Sequence, residues 1–90
     1  MDIKEYQKIM KRNEDLNKET ELVELGLRLF SNSGKISGNI QEIVYNDEFN
    51  KKKVNADKLK ENIKENIDII ITMCNVINVD LDTLISNSLK

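Results

Sequence analysis

Between residues 56 and 78, apolar side chains fall on nearly every side of a helix. Leu59, Ile63, Ile67, Ile70, Ile71, Cys74 and Ile77 recur at three- and four-residue spacing, and Ile69, Met73 and Val76 add apolar groups to the other side. Such a helix must be covered on most of its circumference. The whole chain, residues 1–90, amounts to one domain. A domain of that size buries only about 60–65% of the surface its unfolded form exposes. The pattern therefore predicts helices packed around 56–78, with further cover supplied by a second subunit.

The rest of the chain also reads as helical, with no proline and no alternating, strand-like run. Residues 2–17 place Ile3, Tyr6, Ile9 or Met10 and Leu16 at roughly helical spacing. A second helix starts near residues 17–20 and runs through Leu22, Leu25, Leu29 and Phe30. Ser31-Asn32-Ser33-Gly34 interrupts it, and Ile36, Ile40, Ile43 and Val44 continue the spacing. Glycine weakens a helix by about 1 kcal/mol relative to alanine, so Gly34 predicts a break or the close approach of another backbone. Residues 46–55 read as a polar loop with Lys51-Lys52-Lys53 at its solvated tip. Val79-Asp80 reads as a short connection in which Asp80 caps a last helix carrying Leu81, Leu84, Ile85 and Leu89. The expected architecture is an all-α bundle of four or five helices, completed by assembly into a homodimer or homotetramer.

Composition narrows the function classes. Hydrophobic residues make up 39% and charged residues 33% of the chain, a globular balance. The net charge of −2 provides no field toward nucleic acid or membrane, so neither is expected as a partner. No signal peptide and no apolar run long enough to span a bilayer is present. One cysteine excludes an internal disulfide and points to a reducing, cytoplasmic compartment. Cys74 itself reads as a small core filler. Histidine is absent, which excludes Ser-His and Cys-His nucleophilic machinery.

Chemistry enters at Glu65-Asn66-Ile67-Asp68. Three residues apart on a helix, the two carboxylates fall on nearly the same face. Carboxylates are seldom fully buried without a partner or a metal. The pair is either half of a metal site or an acid pair at the rim of the core. Tyr6, a lone aromatic on the first helix, reads either as a core or interface residue or as a platform for a base.

Nearly the full length of the chain resembles the MazG-like branch of the all-α nucleoside-triphosphate pyrophosphohydrolases. Glu5-Tyr6-Gln7-Lys8 looks like the opening of small members. Residues 26–36, Gly26-Leu27-Arg28-Leu29-Phe30-Ser31-Asn32-Ser33-Gly34-Lys35-Ile36, match the family's G-L-x-x-x-G-E-x-G-E-V segment in register. Glu65-Asn66-Ile67-Asp68 followed by Ile69-Ile70-Ile71 matches its E-x-G-D-V-L segment. Val79-Asp80-Leu81 and Asn87-Ser88-Leu89-Lys90 match the I-S-L turn and the terminal N-x-x-K.

The resemblance implies cleavage of nucleoside triphosphates to monophosphate and pyrophosphate, with magnesium held by an E-x-x-E and an E-x-x-D motif. Here Glu65 and Asp68 keep the second motif, while Asn32 and Lys35 stand at the two glutamate positions of the first. Four carboxylates would give the site a formal charge of −4; the residues present give −1. An ammonium opposes a dication by about 4 kcal/mol at 4 Å for an effective dielectric near 20. Glu21 and Glu24 form another E-x-x-E, but it lies one to two turns too early for the apolar register, and Glu42 lies two turns too late.

The expectation is a catalytically impaired protein that binds or sequesters a nucleotide or other phosphorylated small molecule, for instance as a sponge for a signalling nucleotide. Asn32, Lys35, Glu65, Asp68, Asn87 and Lys90 are the candidate ligand-binding residues, the last two through the resemblance. No cofactor is expected. The alternative is a weak pyrophosphohydrolase, in which Glu65 and Asp68 hold magnesium; a structural interaction module is a third reading.

Overall fold

Asn17 opens the longest element. Its side chain accepts a hydrogen bond from the Thr20 N–H at 2.8 Å and so caps helix α2, Lys18–Tyr45. The computed structural model describes residues 1–88. Their other helices are α1 (Ile3–Ile9), α3 (Glu48–Lys51), α4 (Asp57–Val76) and α5 (Leu81–Ser88), and no strand occurs among them. The chain is thus all-helical, with five helices among the described residues. No single helix there is long and apolar enough to cross a membrane.

Packing centres on α2 and α4. Leu25 of α2 and Ile69 and Val76 of α4 form a buried cluster, with Leu22, Leu29 and Met73 packed against it. Cys74 is buried beside them in the chain, in keeping with its reading as a core filler. Short α1 lies across α4 and touches α5. Gln7 ties these elements together: its side chain donates to Asn75 Oδ1 (2.9 Å) and the Val79 carbonyl (2.7 Å) and accepts from the Leu81 N–H (2.9 Å). Asp80 caps α5 as expected, accepting from the Thr83 N–H at 3.3 Å.

Three boundaries differ from the sequence expectation. The helix expected over 2–17 ends at Ile9, because α4 captures its end: Asn75 Nδ2 donates to the carbonyls of Gln7 (3.1 Å) and Met10 (2.7 Å). The following loop is then fastened by buried Glu21, whose carboxylate accepts from Arg12 Nε (2.8 Å) and the Asn13 N–H (2.7 Å). The interruption expected at residues 31–34 does not occur. Helix α2 runs straight through it, since Asn32 is bonded to α4 and Gly34 has no positive φ. The polar stretch 46–55 contains the single turn α3, bracketed by Asp47 and Lys52 in the left-handed region (φ 55° at each).

The isolated chain is extended for its size. Its radius of gyration is 16.0 Å, against roughly 12 Å for a compact domain of this length. Its surface of 6970 Å² exceeds by about 1,600 Å² the value that scaling gives for a 10.4 kDa monomer. Helix α4 is less enclosed than its pattern predicts: Ile69 and Ile71 are buried, whereas Ile63, Ile67, Ile70 and Ile77 are exposed. The largest exposed apolar groups lie on α2, where Phe30 is 82% and Tyr45 89% exposed.

Arg12 is expected to be a main support of the first loop. Replacing it with methionine leaves the buried Glu21 carboxylate without its cation, a change that typically costs about 3 kcal/mol or more. Urea unfolding of Arg12→Met is expected to show a loss of that order; an unchanged midpoint would contradict the role given to this pair.

Candidate functional site

The antiparallel contact of α2 with α4 sets the geometry. Arg28, Asn32 and Lys35 recur at four- and three-residue steps and share one stripe of α2. Asn32 is buried, and its amide donates to the Asn62 carbonyl (2.7 Å) and to Asn66 Oδ1 (2.7 Å) of α4. Asn66 donates onward to Ser33 Oγ at 3.2 Å, and Asn62 to Asn39 Oδ1 at 2.7 Å. Asparagine at position 32 therefore closes a polar seam between the helices.

The two carboxylates turn to different neighbours. Glu65 is exposed and accepts from Arg28 Nη2 at 2.7 Å. Asp68 is partly buried and faces α1, accepting from the Tyr6 hydroxyl on one oxygen and from Lys64 Nζ at 2.8 Å on the other. Lys64 Nζ also reaches the Tyr6 hydroxyl (3.3 Å) and lies 5.9 Å from the centre of its ring. Burial by itself would raise the Asp68 pKa; the hydrogen bonds from Lys64 and Tyr6 outweigh it and hold the carboxyl below its ordinary value. The Asp68 bond, followed by that from Tyr6, raises the Lys64 ammonium above its usual value. Burial pushes the Cys74 thiol up, which keeps it protonated and unreactive.

Lys35 pairs with neither Glu65 nor Asp68. It is exposed and makes no ion pair among the described residues, because Arg28 and Lys64 already hold the two acids. Asn87 is exposed on the last turn of α5, a helix that packs against α1. Lys90 lies outside the described residues. A cleft of about 240 Å³ opens beside Asp68, with Glu21, Glu24, Arg28 and Thr72 among its walls.

The site does not fit the magnesium that the family resemblance implies. Among the described residues no group of three or more acids or thiols gathers as a metal cluster. A dication at Glu65 would meet the Arg28 guanidinium, and one at Asp68 would meet the Lys64 ammonium. With Lys35 included, the three cations outnumber the two acids. The Arg28–Glu65 pair, about half exposed on both sides, adds only about 0–1 kcal/mol to stability; its weight in the site is its charge.

Sequence reasoning missed Arg28, Lys64 and the buried Glu21. The Lys64–Asp68 pair had a signal, since a cation four residues before an acid is a standard helical neighbour. Arg28 and Glu65 come together only through the register of two helices. Neither family models, nor curated proteins, nor solved structures match this chain.

The Asp68 shift fixes the sign of a pH effect. A lowered folded pKa gives stability that is present above the ordinary value of 3.8 and is lost as pH falls through the folded value. Asp68→Asn is therefore expected to be less stable than the parent at neutral pH, the difference closing in strong acid. Carbon-detected NMR should place the Asp68 midpoint below 3.8 and move it upward in Tyr6→Phe; a midpoint indifferent to that substitution would contradict the geometry.

Proposed function

We propose that this chain is a MazG-like helical protein whose metal site has been dismantled, and that it holds a nucleotide-type ligand through its phosphates without hydrolysing it. The observation that carries the reading is the neutralisation of both remaining acids from within the chain, Glu65 by Arg28 and Asp68 by Lys64. Lys35 supports it further as an exposed cation with no acid of its own among the described residues. Lysine serves as a point charge for phosphate. On this reading the protein needs no metal and works as a binder or sponge in the cytoplasm.

The cleft beside Asp68, about 240 Å³, is smaller than the roughly 300–1,000 Å³ of typical small-molecule sites. A nucleotide would be enclosed only with help from another copy, which favours a homodimer or homotetramer as the working form. A second reading, a structural interaction module, is favoured by the large apolar side chains left exposed on α2. The weak-enzyme alternative is disfavoured by the cations beside both acids.

A thermal-shift screen of nucleotides, cyclic ones included, tests the reading with and without magnesium. A shift is expected without metal, together with no pyrophosphate release from nucleoside triphosphates. For the ligand that the screen returns, Lys35→Ala should weaken binding by about 1.5–3 kcal/mol, or one to two decades. Glu65→Gln should leave binding unchanged or improve it by freeing Arg28. A shift that requires magnesium and vanishes in Glu65→Gln would establish the enzyme reading instead.

A further inference from the structure

The outward side of α2 is built unlike the rest of the molecule. Val23, Leu27, Phe30, Gly34, Ser37, Gln41 and Val44 recur at alternating steps of four and three, the spacing of a helix–helix seam. Residues flanking that seam include Glu24, Gly26, Ser31, Ser33, Gly38, Ile40, Glu42 and Tyr45. In a chain that is 33% charged, the seam itself carries no charge; Glu24 and Glu42 stand at its margin, about five turns apart. Val23, Leu27, Phe30, Ile40, Val44 and Tyr45 all count among its exposed large hydrophobic residues.

Three glycines on this face have no explanation within the chain. A Cβ built on Gly26, Gly34 or Gly38 would meet nothing within 4 Å, and none of the three has a positive φ. Alanine would serve the isolated helix better at each position. Small residues in a helix face let a second backbone approach closely. Gly34 and Gly38 stand one turn apart at the middle of α2, with Ser33 and Ser37 beside them.

We propose that this face pairs with the same face of a second copy, antiparallel, about a two-fold axis near Gly34. The order of side chains along the helix favours a self-partner. Bulky residues lie at the start (Val23, Leu27, Phe30), small ones in the middle, and bulky ones again at the end (Ile40, Val44, Tyr45). A two-fold axis near Gly34 sets Val23 of one copy against Tyr45 of the other, Leu27 against Gln41, and Phe30 over Gly38. Small meets small at the axis, where the backbones close. An isologous contact requires this kind of self-complementarity.

Area agrees with that arrangement. A standard interface removes about 800 Å² from each partner. The chain exposes about 1,600 Å² more than a monomer of its mass should, so one such contact covers half the excess.

The inference rests on this face and not on the ligand reading. A dimer that binds no nucleotide would fail that reading alone, and a monomer that binds one would fail the pairing alone. Light scattering on the full chain at micromolar concentration is expected to give a dimer mass. Phe30→Glu, at a position 82% exposed in the isolated chain, should weaken association about thirtyfold or more, the loss typical of a central aromatic anchor, while far-UV circular dichroism stays helical. Gly34→Leu fills open space within the chain; it should also give a monomer, and one with no loss of helix. Mild oxidation of Leu27→Cys/Gln41→Cys should yield a covalent dimer, and oxidation of Leu27→Cys alone should not. A monomeric parent protein would overturn the proposal and leave the face to a different partner. A dimer indifferent to Phe30→Glu and Gly34→Leu, or one cross-linked by Leu27→Cys alone, would overturn it as well.

Discussion

Leu25, Ile69 and Val76 hold α2 against α4, and nearly every other feature follows from the register they set. Along the same contact, Asn32 meets Asn62 and Asn66, and Arg28 meets Glu65. A one-turn slip of either helix would separate all of these pairs and leave the buried Asn32 amide without its acceptors. Unmet polar groups of that kind cost about 1–3 kcal/mol each. The apolar cluster supplies the attraction, and the asparagine seam selects one register.

The candidate site inherits its character from that register. The stripe Arg28-Asn32-Lys35 presents two cations and an amide. The amide is committed to α4, and the first cation to Glu65. On the other side of α4, Tyr6 and Lys64 hold Asp68. Glu65 and Asp68 are therefore shared out between α2 and α1 and do not face a common point.

Helix content and the 56–78 segment were legible in the sequence because they depend on local periodicity; α4 is observed as Asp57–Val76. The cap at Asp80 was legible for the same reason. The early end of α1 was not: it is set by Asn75, more than sixty residues away in the chain, and by Glu21. Apolar spacing past Ile9 gave no warning of either. The run Ser31-Asn32-Ser33-Gly34 has the composition of a break but lies within an unbroken helix, since tertiary contacts of Asn32 and Ser33 outweigh local propensity. Within the site, the positions of Asn32, Lys35, Glu65 and Asp68 were visible, whereas the identity of their partners depended on helix register.

Glu65 and Asp68 belong to cations of their own chain, Arg28 and Lys64. Titration with manganese, followed by paramagnetic broadening of backbone amide signals, tests this pairing most directly. Weak broadening spread over exposed carboxylates is expected, with no selective, saturable loss at residues 65 and 68. Selective loss of both signals at low metal concentration, abolished in Asp68→Asn, would mean that a dication displaces Arg28 and Lys64, and would contradict it.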